Sequence, residues 1–383
     1  MSKLRDLASR CAWSMAKLNK IKNNRVVFCS YYGRGYSDSP KAICEVLRRS
    51  GEDLDLVWLC KDEAAEKSLP EGVRAVPYKG AKRLKALASA KVWVDNCRKY
   101  ENLKRKGQFY MQTWHGFALK KIEKDAEAAL TPDYLAACKK DSAQCDVIVS
   151  GSAHMTRLYR QSFWYDGPVV QTGTPRNDAF YSEQPEMHRK VCAAFGLEPG
   201  RKLLLFAPTF RADHSTDAYR IDAEAVRRAA EENLEGSWSV LIRLHPNVGD
   251  QSAGLYAYDG NTLLDATAYP DMQELLCAAD LLITDYSSSM FDYAITGKPV
   301  VQYAPDIEAY QDDRSFYFPI DKLPFPLATD GDSLVKAVRE VLPLWANSAW
   351  GDFARENEFC EDGQASVRCA AMILQQIKKE RKK

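Results

Sequence analysis

The sequence predicts an α/β protein built from two doubly wound domains. Three observations carry this. At 383 residues the chain is longer than one ordinary hydrophobic core accommodates. Short apolar runs such as RVVFCS, DLVWLC, VWVDN, LLLFAP and LLITD alternate with amphipathic helical stretches, the pattern of βαβ units around a parallel sheet. The alternation also stops at the polar stretch SEQPEMHRK and restarts at Lys202, which places a domain linker there. The expected division is a basic amphipathic helix over 1–24, an N-terminal domain over 25–185, a C-terminal domain over 200–360, and a crossover helix with a basic tail over 361–383.

Composition narrows the function classes. A hydrophobic fraction of 46% is that of a globular protein. With 53 basic and 52 acidic residues the formal charge is +1, so no global field draws the chain to nucleic acid. The eleven cysteines are scattered, mostly inside apolar stretches (Cys29, Cys44, Cys60, Cys277), with no CxxC pair. That predicts reduced thiols in a cytoplasmic protein. There is no N-terminal apolar h-region, and no run reaches the ~18 apolar residues of a membrane span.

Residues 3–22 come first. Leu4, Leu7, Cys11, Met15 and Leu18 follow helical spacing, interleaved with Lys3, Arg5, Arg10, Lys17, Lys20 and Lys22. Such a helix either lies on an anionic membrane surface or packs on its own domain. Arg25–Ser30 then reads as a strand, followed by the loop YYGRGYSDSP and a helix over 41–49. Gly33 and Gly35 form a GxG without the third glycine of a dinucleotide fingerprint, so a glycine loop facing a cleft is the safer expectation. Asp53-Leu54-Asp55 spells DxD but opens the strand DLVWLC and reads as coincidence.

His115 follows the strand QFYMQ, at a strand C-terminal end where open α/β sheets bind ligands. Gly116 behind it allows close backbone approach. One of only five histidines in the chain, His115 is weighed as a general base against a plain hydrogen-bonded loop histidine. Ser152 and His154 open a helix. In the turn Thr174-Pro175-Arg176-Asn177-Asp178, Arg176 is a candidate anion clamp and Asp178 a candidate cap for the next helix.

In the second domain, Thr209 and Arg211 follow the strand LLLFAP. His214 lies in a polar loop. Arg243-Leu244-His245-Pro246-Asn247 ends the strand that starts at Ser239. The stretch Leu281–Val301 is a strand–turn–helix–strand unit: a buried strand to Asp285, three serines, then a short helix stopped by Gly297 and Pro299. Ser287 and Ser288 stand at a helix N-terminus that suits phosphate, or one of them merely caps the helix. Three successive strand ends thus present Thr209 and Arg211, Arg243 and His245, and Ser287 and Ser288. Arg and His donors converging in this way suit a diphosphate. Asp285 is expected to orient neighbouring backbone or a hydroxyl, and Asp292 either to reach the ligand or to serve as a buried cap or ion pair.

The motifs WHG, PRND, APTFR, RLHPN and TDYSSSMFDYAITGKPVV, in that order, resemble the CDP-glycerol glycerophosphotransferase family of teichoic-acid synthesis. The resemblance spans about Gln112 to Gln302, with an echo at Glu361-Asp362-Gly363. It implies a GT-B architecture, two facing Rossmann-like domains with a cleft between them. It also implies transfer of glycerol phosphate from CDP-glycerol to a hydroxyl of a lipid-linked acceptor, with release of CMP, at the inner face of the plasma membrane. Carried over by motif, His115 and His245 are catalytic. The donor-binding positions are Trp114, Gly116, Arg176, Thr209, Phe210, Arg211, Arg243, Leu244, Ser287, Ser288 and Asp292. Neither a metal nor another cofactor is expected; the partners are CDP-glycerol, the lipid-linked polymer precursor and an anionic membrane surface, not nucleic acid. Phe117-Ala118 stands where the family commonly has Thr-Pro, which bears on the acceptor contacts, and Phe210 replaces a common Trp. CDP-ribitol transfer, or a GT-B glycosyltransferase or epimerase using a UDP-sugar, are the alternatives.

Overall fold

The computed structural model describes residues 11–99, 103–211, 216–245, 248, 254–308 and 315–381. It divides into two compact units. The first comprises residues 1–115, 122–178 and 359–383; the second comprises 116–121 and 179–358. Each is a Rossmann-like α/β unit.

The first unit holds β1 (Lys22–Cys29), β2 (Asp55–Cys60), β3 (Val73–Pro77), β4 (Ala90–Asp95), β5 (Phe109–Gln112), β6 (Val147–Ser150) and β7 (Val169–Gln171). They form one parallel sheet in the order β3-β2-β1-β4-β5-β6-β7, with Val26 level with Leu56 on one side and Val92 on the other. The strands are near-continuous apolar runs because both faces are covered. On one face Phe28, Trp58 and Val94 pack against Ile43 and Leu47 of the helix Asp38–Arg49 and Cys369, Ile373 and Ile377 of the helix Ala365–Arg381. On the other, Val27, Val57 and Trp93 meet Ala86, Leu87 and Trp13. Each fully buried aliphatic or aromatic side chain contributes roughly 1.5–3 kcal/mol. The last helix therefore belongs to the first unit's core.

The second unit holds β8 (Lys202–Ala207), β9 (Trp238–Ile242), β10 (Leu263–Asp265), β11 (Leu281–Thr284), β12 (Val300–Tyr303) and β13 (Leu327–Ala328). Their order is β10-β9-β8-β11-β12-β13, again all parallel. In both sheets the order reverses beside the first strand, between β1 and β4 and between β8 and β11. Loops leaving those strands diverge there and open the crevice in which such folds bind ligands.

Several local expectations change. The stretch expected as a linker is mostly the helix Gln184–Ala194, with Val191 and Cys192 buried. Asp178 does not cap the helix that follows it. Its carboxylate accepts the Ala365 and Ser366 N–H groups at 3.0 and 2.7 Å and so caps the helix Ala365–Arg381. Gly33 has φ +85°, and a Cβ there would meet Leu59 O and Lys61 N at 3.0 Å. Only glycine fits that approach to the end of β2. Asp55 of the DxD pairs with Arg25 at 2.7 Å and Arg74 at 2.9 Å, as befits a structural aspartate.

Residues 11–16 are helical. Trp13 and Ala16 are buried in the first unit, whereas Met15 and Leu18 are 65% and 84% exposed. The helix packs on its own unit through Trp13 and Ala16 and turns Met15 outward; Leu18 lies in the turn after it, and β1 already begins at Lys22, so the helix expected to run to residue 24 ends at 16. Leu4, Leu7, Lys3, Arg5 and Arg10, like His214, Pro246 and Asn247, lie outside the described residues.

Candidate active site

The candidate residues fall into two sets, one in each unit. In the first unit the set gathers at the C-terminal edges of β1, β4 and β5, beside the reversal of strand order. His115 is half-buried two residues beyond Thr113, whose N–H donates to Asp95 O at 2.9 Å and continues the β4–β5 ladder. Its Nδ1 lies 2.7 Å from the main-chain oxygen of Asn96. A carbonyl accepts only, so Nδ1 carries the proton and Nε2 keeps its lone pair. Trp114 stacks on the imidazole, with ring centroids 4.2 Å apart and planes at 27°. Burial pushes the His115 pKa below its ordinary value; the Asn96 carbonyl and the Asp38 charge pull upward, and Arg176 adds to the lowering. The neutral form is the one a general base needs.

Arg176 is 7% exposed, and its Nη1 donates to Asp38 Oδ2 at 2.6 Å. The same oxygen accepts the Tyr31 hydroxyl at 2.6 Å. Burial works to raise the Asp38 carboxyl, but Arg176 and the Tyr31 hydrogen bond outweigh it and hold Asp38 below the ordinary aspartate range. The Tyr31 ring lies 5.9 Å from the His115 ring. The turn carrying Arg176 is fixed by the C-terminal segment, because the Thr174 N–H donates to both Glu361 carboxylate oxygens, at 3.1 and 2.9 Å. Tyr31, Tyr32, Asp38 and Trp114 all have left-handed φ, at 43°, 60°, 63° and 53°. Each such residue costs roughly 1–3 kcal/mol, and such strain gathers at functional sites.

Beneath Trp114 lies a buried ionic cluster. Arg98 donates to Glu123 through Nε at 2.8 Å and Nη2 at 2.6 Å, and to Asp141 through Nη1 at 3.2 Å. Its guanidinium sits 4.2 Å from the Phe163 ring centroid and 5.8 Å from that of Trp114.

In the second unit, adjacency of β9, β8 and β11 brings the three expected strand ends together. Asp285 joins them. Its Oδ1 accepts the Thr209 N–H at 2.8 Å, the Thr209 hydroxyl at 2.5 Å and the Tyr286 N–H at 2.6 Å. The expectation that Asp285 orients backbone and a hydroxyl is met. Arg211, 4% exposed, pairs with Asp285 at 2.8 Å and donates from Nε to Asp306 at 2.6 Å, with Nη1 on Thr209 O at 2.6 Å. It braces the strand ends from within. Arg243 Nη1 donates to Ala266 O, at 3.0 Å, and to Tyr269 O. Leu244 is a core residue at 1% exposure. The His245 ring lies 5.7 Å from Phe210, which packs on the core.

Ser287 Oγ accepts the Ser289 N–H, the first of the short helix, at 3.2 Å and lies 2.8 Å from Ser289 Oγ. Ser288 precedes the six-residue helix Ser289–Ala294 and makes no side-chain cap bond. Asp292 is buried in that helix at 4% exposure. Gly116 opens the 116–121 segment of the second unit, whose Phe117 packs 4.6 Å from Phe291 between ring centroids. Phe117 and Ala118, both buried, are packing residues of this unit.

Sequence reasoning missed Tyr31, Asp38, Asn96 and Asp306. Tyr31 and Asp38 had a signal in the polar loop after β1, at the crevice side of the sheet. Asp306 follows β12 in the same manner.

A sequence model of a family described as CDP-Glycerol:Poly(glycerophosphate) glycerophosphotransferase matches residues 11–375. The chain is 29% identical over 380 residues to a teichoic acid poly(glycerol phosphate) polymerase of Bacillus subtilis, covering 94% of this chain and 50% of that protein. It is 30% identical over 377 residues to a teichoic acid glycerol-phosphate transferase of Staphylococcus aureus, covering 93% of this chain and 95% of that one. A solved structure of a wall teichoic acid polymerase TagF variant aligns with a TM-score of 0.86 at 26% identity, over 99% of this chain and 97% of that one. The chain spans about half the length of the Bacillus subtilis and Staphylococcus epidermidis polymerases it matches. From the ordered motifs, the two Rossmann-like units and the match over most of its length, the chain belongs to the CDP-glycerol:poly(glycerophosphate) glycerophosphotransferase family.

Proposed function

We propose that the protein transfers glycerol phosphate from CDP-glycerol to a hydroxyl of a lipid-linked glycan or polyol-phosphate acceptor, with release of CMP. The observation that carries this reading is the 2.7 Å hydrogen bond of His115 Nδ1 to Asn96 O. With Nδ1 held there, Nε2 is the acceptor, on a ring whose pKa burial lowers in favour of the neutral form. In the proposed step Nε2 takes the acceptor hydroxyl proton and the hydroxyl oxygen bonds to the β-phosphorus. The bond from that phosphorus to the CMP oxygen breaks, and CMP departs with the electron pair. We assign the diphosphate to Arg243, His245 and Ser288 of the second unit, at neighbouring strand ends whose edge is shaped by Thr209, held on Asp285, and by Ser287, bonded to the Ser289 N–H. Arg211, engaged with Asp285 and Asp306, positions Thr209 and contributes field rather than a direct clamp.

The test is CMP release from CDP-glycerol, run beside CDP-ribitol and UDP-sugars, with a lipid-linked acceptor present. Release from CDP-glycerol above the other donors is expected. Turnover of CDP-ribitol or a UDP-sugar alone would keep the fold and overturn the donor.

The acceptor being lipid-linked, we also propose that the protein works on the cytoplasmic face of a membrane, against anionic lipid. What supports this is the exposure of Met15 and Leu18 in a stretch of sequence that also carries Lys17, Lys20 and Lys22. No described helix is long and apolar enough to cross a membrane. Binding to vesicles containing anionic lipid is expected at low salt, to weaken as salt rises, and to fall further in the double variant Met15→Glu/Leu18→Glu. No vesicle binding at low salt would leave the helix with a packing role alone.

A further inference from the structure

We infer that Asp38 is a positioning residue for His115: one oxygen of its carboxylate holds Tyr31 and Arg176 together, and these three side chains fix the polar flank of the imidazole. The inference rests on the proposed use of His115 as the base.

Three features of the geometry point this way. Asp38 Oδ2 accepts from the Tyr31 hydroxyl and from Arg176 Nη1, both at 2.6 Å, while Oδ1 accepts the Ser39 N–H at 2.6 Å. Asp38 and Arg176 are 6% and 7% exposed, so the pair is shielded and its partners are fixed. Tyr31 then reaches His115 by two routes. Its ring lies 5.9 Å from the imidazole, and its N–H donates at 2.9 Å to Oδ1 of Asn96, the residue whose main-chain oxygen holds His115 Nδ1. A shift of Tyr31 therefore moves both a wall of the ring and the peptide that sets its tautomer. Finally, Tyr31 and Asp38 each adopt left-handed backbone, at φ 43° and 63°. A loop that served only to connect β1 to the next helix would have no need of such residues there.

The charges around His115 come from separate elements. Asp38 opens the helix after the β1 loop, Arg176 lies in the Thr174–Asp178 turn, and Glu123 lies in the 122–130 segment bound to Arg98. Asp38 favours the imidazolium, Arg176 disfavours it, and each offsets the other. Removing one charge at a time must therefore move the titration of His115 in opposite directions. Those shifts place both charges beside the ring, and a fall in turnover in Tyr31→Phe, which keeps both charges, then separates positioning from field.

The experiment is an NMR pH titration of the histidine ring resonances in the full chain, with His115 identified by its loss in His115→Asn. Asp38→Asn is expected to move the His115 midpoint down, and Arg176→Met to move it up, each by about half a unit or more. The double variant Asp38→Asn/Arg176→Met should return close to the wild type. Tyr31→Phe keeps both charges and should leave the midpoint nearly in place while lowering turnover several-fold with little change in KM. Shifts of the same sign, or no shift in either folded single variant, would overturn the inference. If Asp38→Asn does not fold, the upward shift in Arg176→Met and its reversal in the double variant still decide the matter. The titration needs no substrate, so failure of CMP release in the wild type would remove the base role and leave this result standing.

Discussion

His115→Ala lowers turnover by roughly two to four orders of magnitude in a protein that stays folded. The size follows from what the ring does. It is the one group in the first unit's candidate set that joins a fixed tautomer to an acceptor nitrogen, with Nδ1 on Asn96 O at 2.7 Å. Tyr31 cannot take over as base, since burial and the neighbouring Asp38 raise its hydroxyl well above the ordinary tyrosine value. Asp38, held low by Arg176 and Tyr31, is a weak proton acceptor already bonded on both oxygens. Folding should survive, because the substitution removes one half-buried ring and one hydrogen bond worth about 1 kcal/mol. The measurement is CMP release at saturating donor, paired with a thermal melt. Turnover within tenfold of the wild type, with an unchanged melt, would remove His115 from the chemistry.

The wild-type pH profile follows from the same residue. A base works in its neutral form, so the rate falls as pH drops through its pKa. Burial lowers the His115 pKa, which keeps the neutral form populated at lower pH than in a free histidine. The acid limb of kcat/KM is therefore expected below the ordinary imidazole value of about 6.5. A limb above that value would mean that another group titrates.

Which parts of this were legible in the sequence depends on range. Alternating apolar runs marked β1, β2, β4, β8 and β11 because a doubly covered strand needs apolar side chains on both faces. The placement of His115 and of Thr209, Arg243 and Ser287 at strand ends followed, since a parallel sheet puts every such end on one edge. Asp285 was read correctly because its neighbours in sequence already showed it beside a turn. What stayed hidden were partners set by topology. Asp38 and Arg176 are 138 residues apart, and Asp178 and Ala365 are 187 apart. No periodicity reports such pairs. An acidic residue before an apparent helix reads as a cap for that helix, and Asp178 instead caps one that returns from the far end of the chain. Gly33 hid its partner for a related reason. It was read only as part of a glycine loop, and the close approach of the β2 backbone that requires it is set by topology. Arg211 was expected on a phosphate because arginines at strand ends commonly bind anions; Asp306, 95 residues later, was not visible as its partner.

Arg98→Met is the substitution expected to damage the fold most. Arg98, Glu123 and Asp141 are 2%, 2% and 0% exposed, and one guanidinium answers both carboxylates. Burial opposes the Arg98 charge, but the Glu123 hydrogen bonds outweigh it and the net effect favours the charged form; burial raises Asp141 even beside Arg98. Methionine fills much of the volume and leaves two carboxylates sharing a dry site without the guanidinium that joins them, with Lys99 acting on Asp141 alone. Breaking a buried pair in this way costs about 3–5 kcal/mol, more than the pair itself adds over an apolar replacement. For a unit of this size that lowers Tm by on the order of 10 °C. Loss of Arg98 also strips the cation from the faces of Phe163 and Trp114, and Trp114 is the plane on which His115 stacks. Turnover should accordingly fall in the surviving folded fraction. Neutralising the carboxylates separates the two effects. Arg98→Met/Glu123→Gln/Asp141→Asn should recover part of the lost stability but little of the turnover, because the charges are balanced while Trp114 still lacks its partner. A melt within about 2 °C of wild type for Arg98→Met would show that water or proton uptake compensates the carboxylates. Full recovery of turnover in the triple variant would show that Trp114 is held by packing alone.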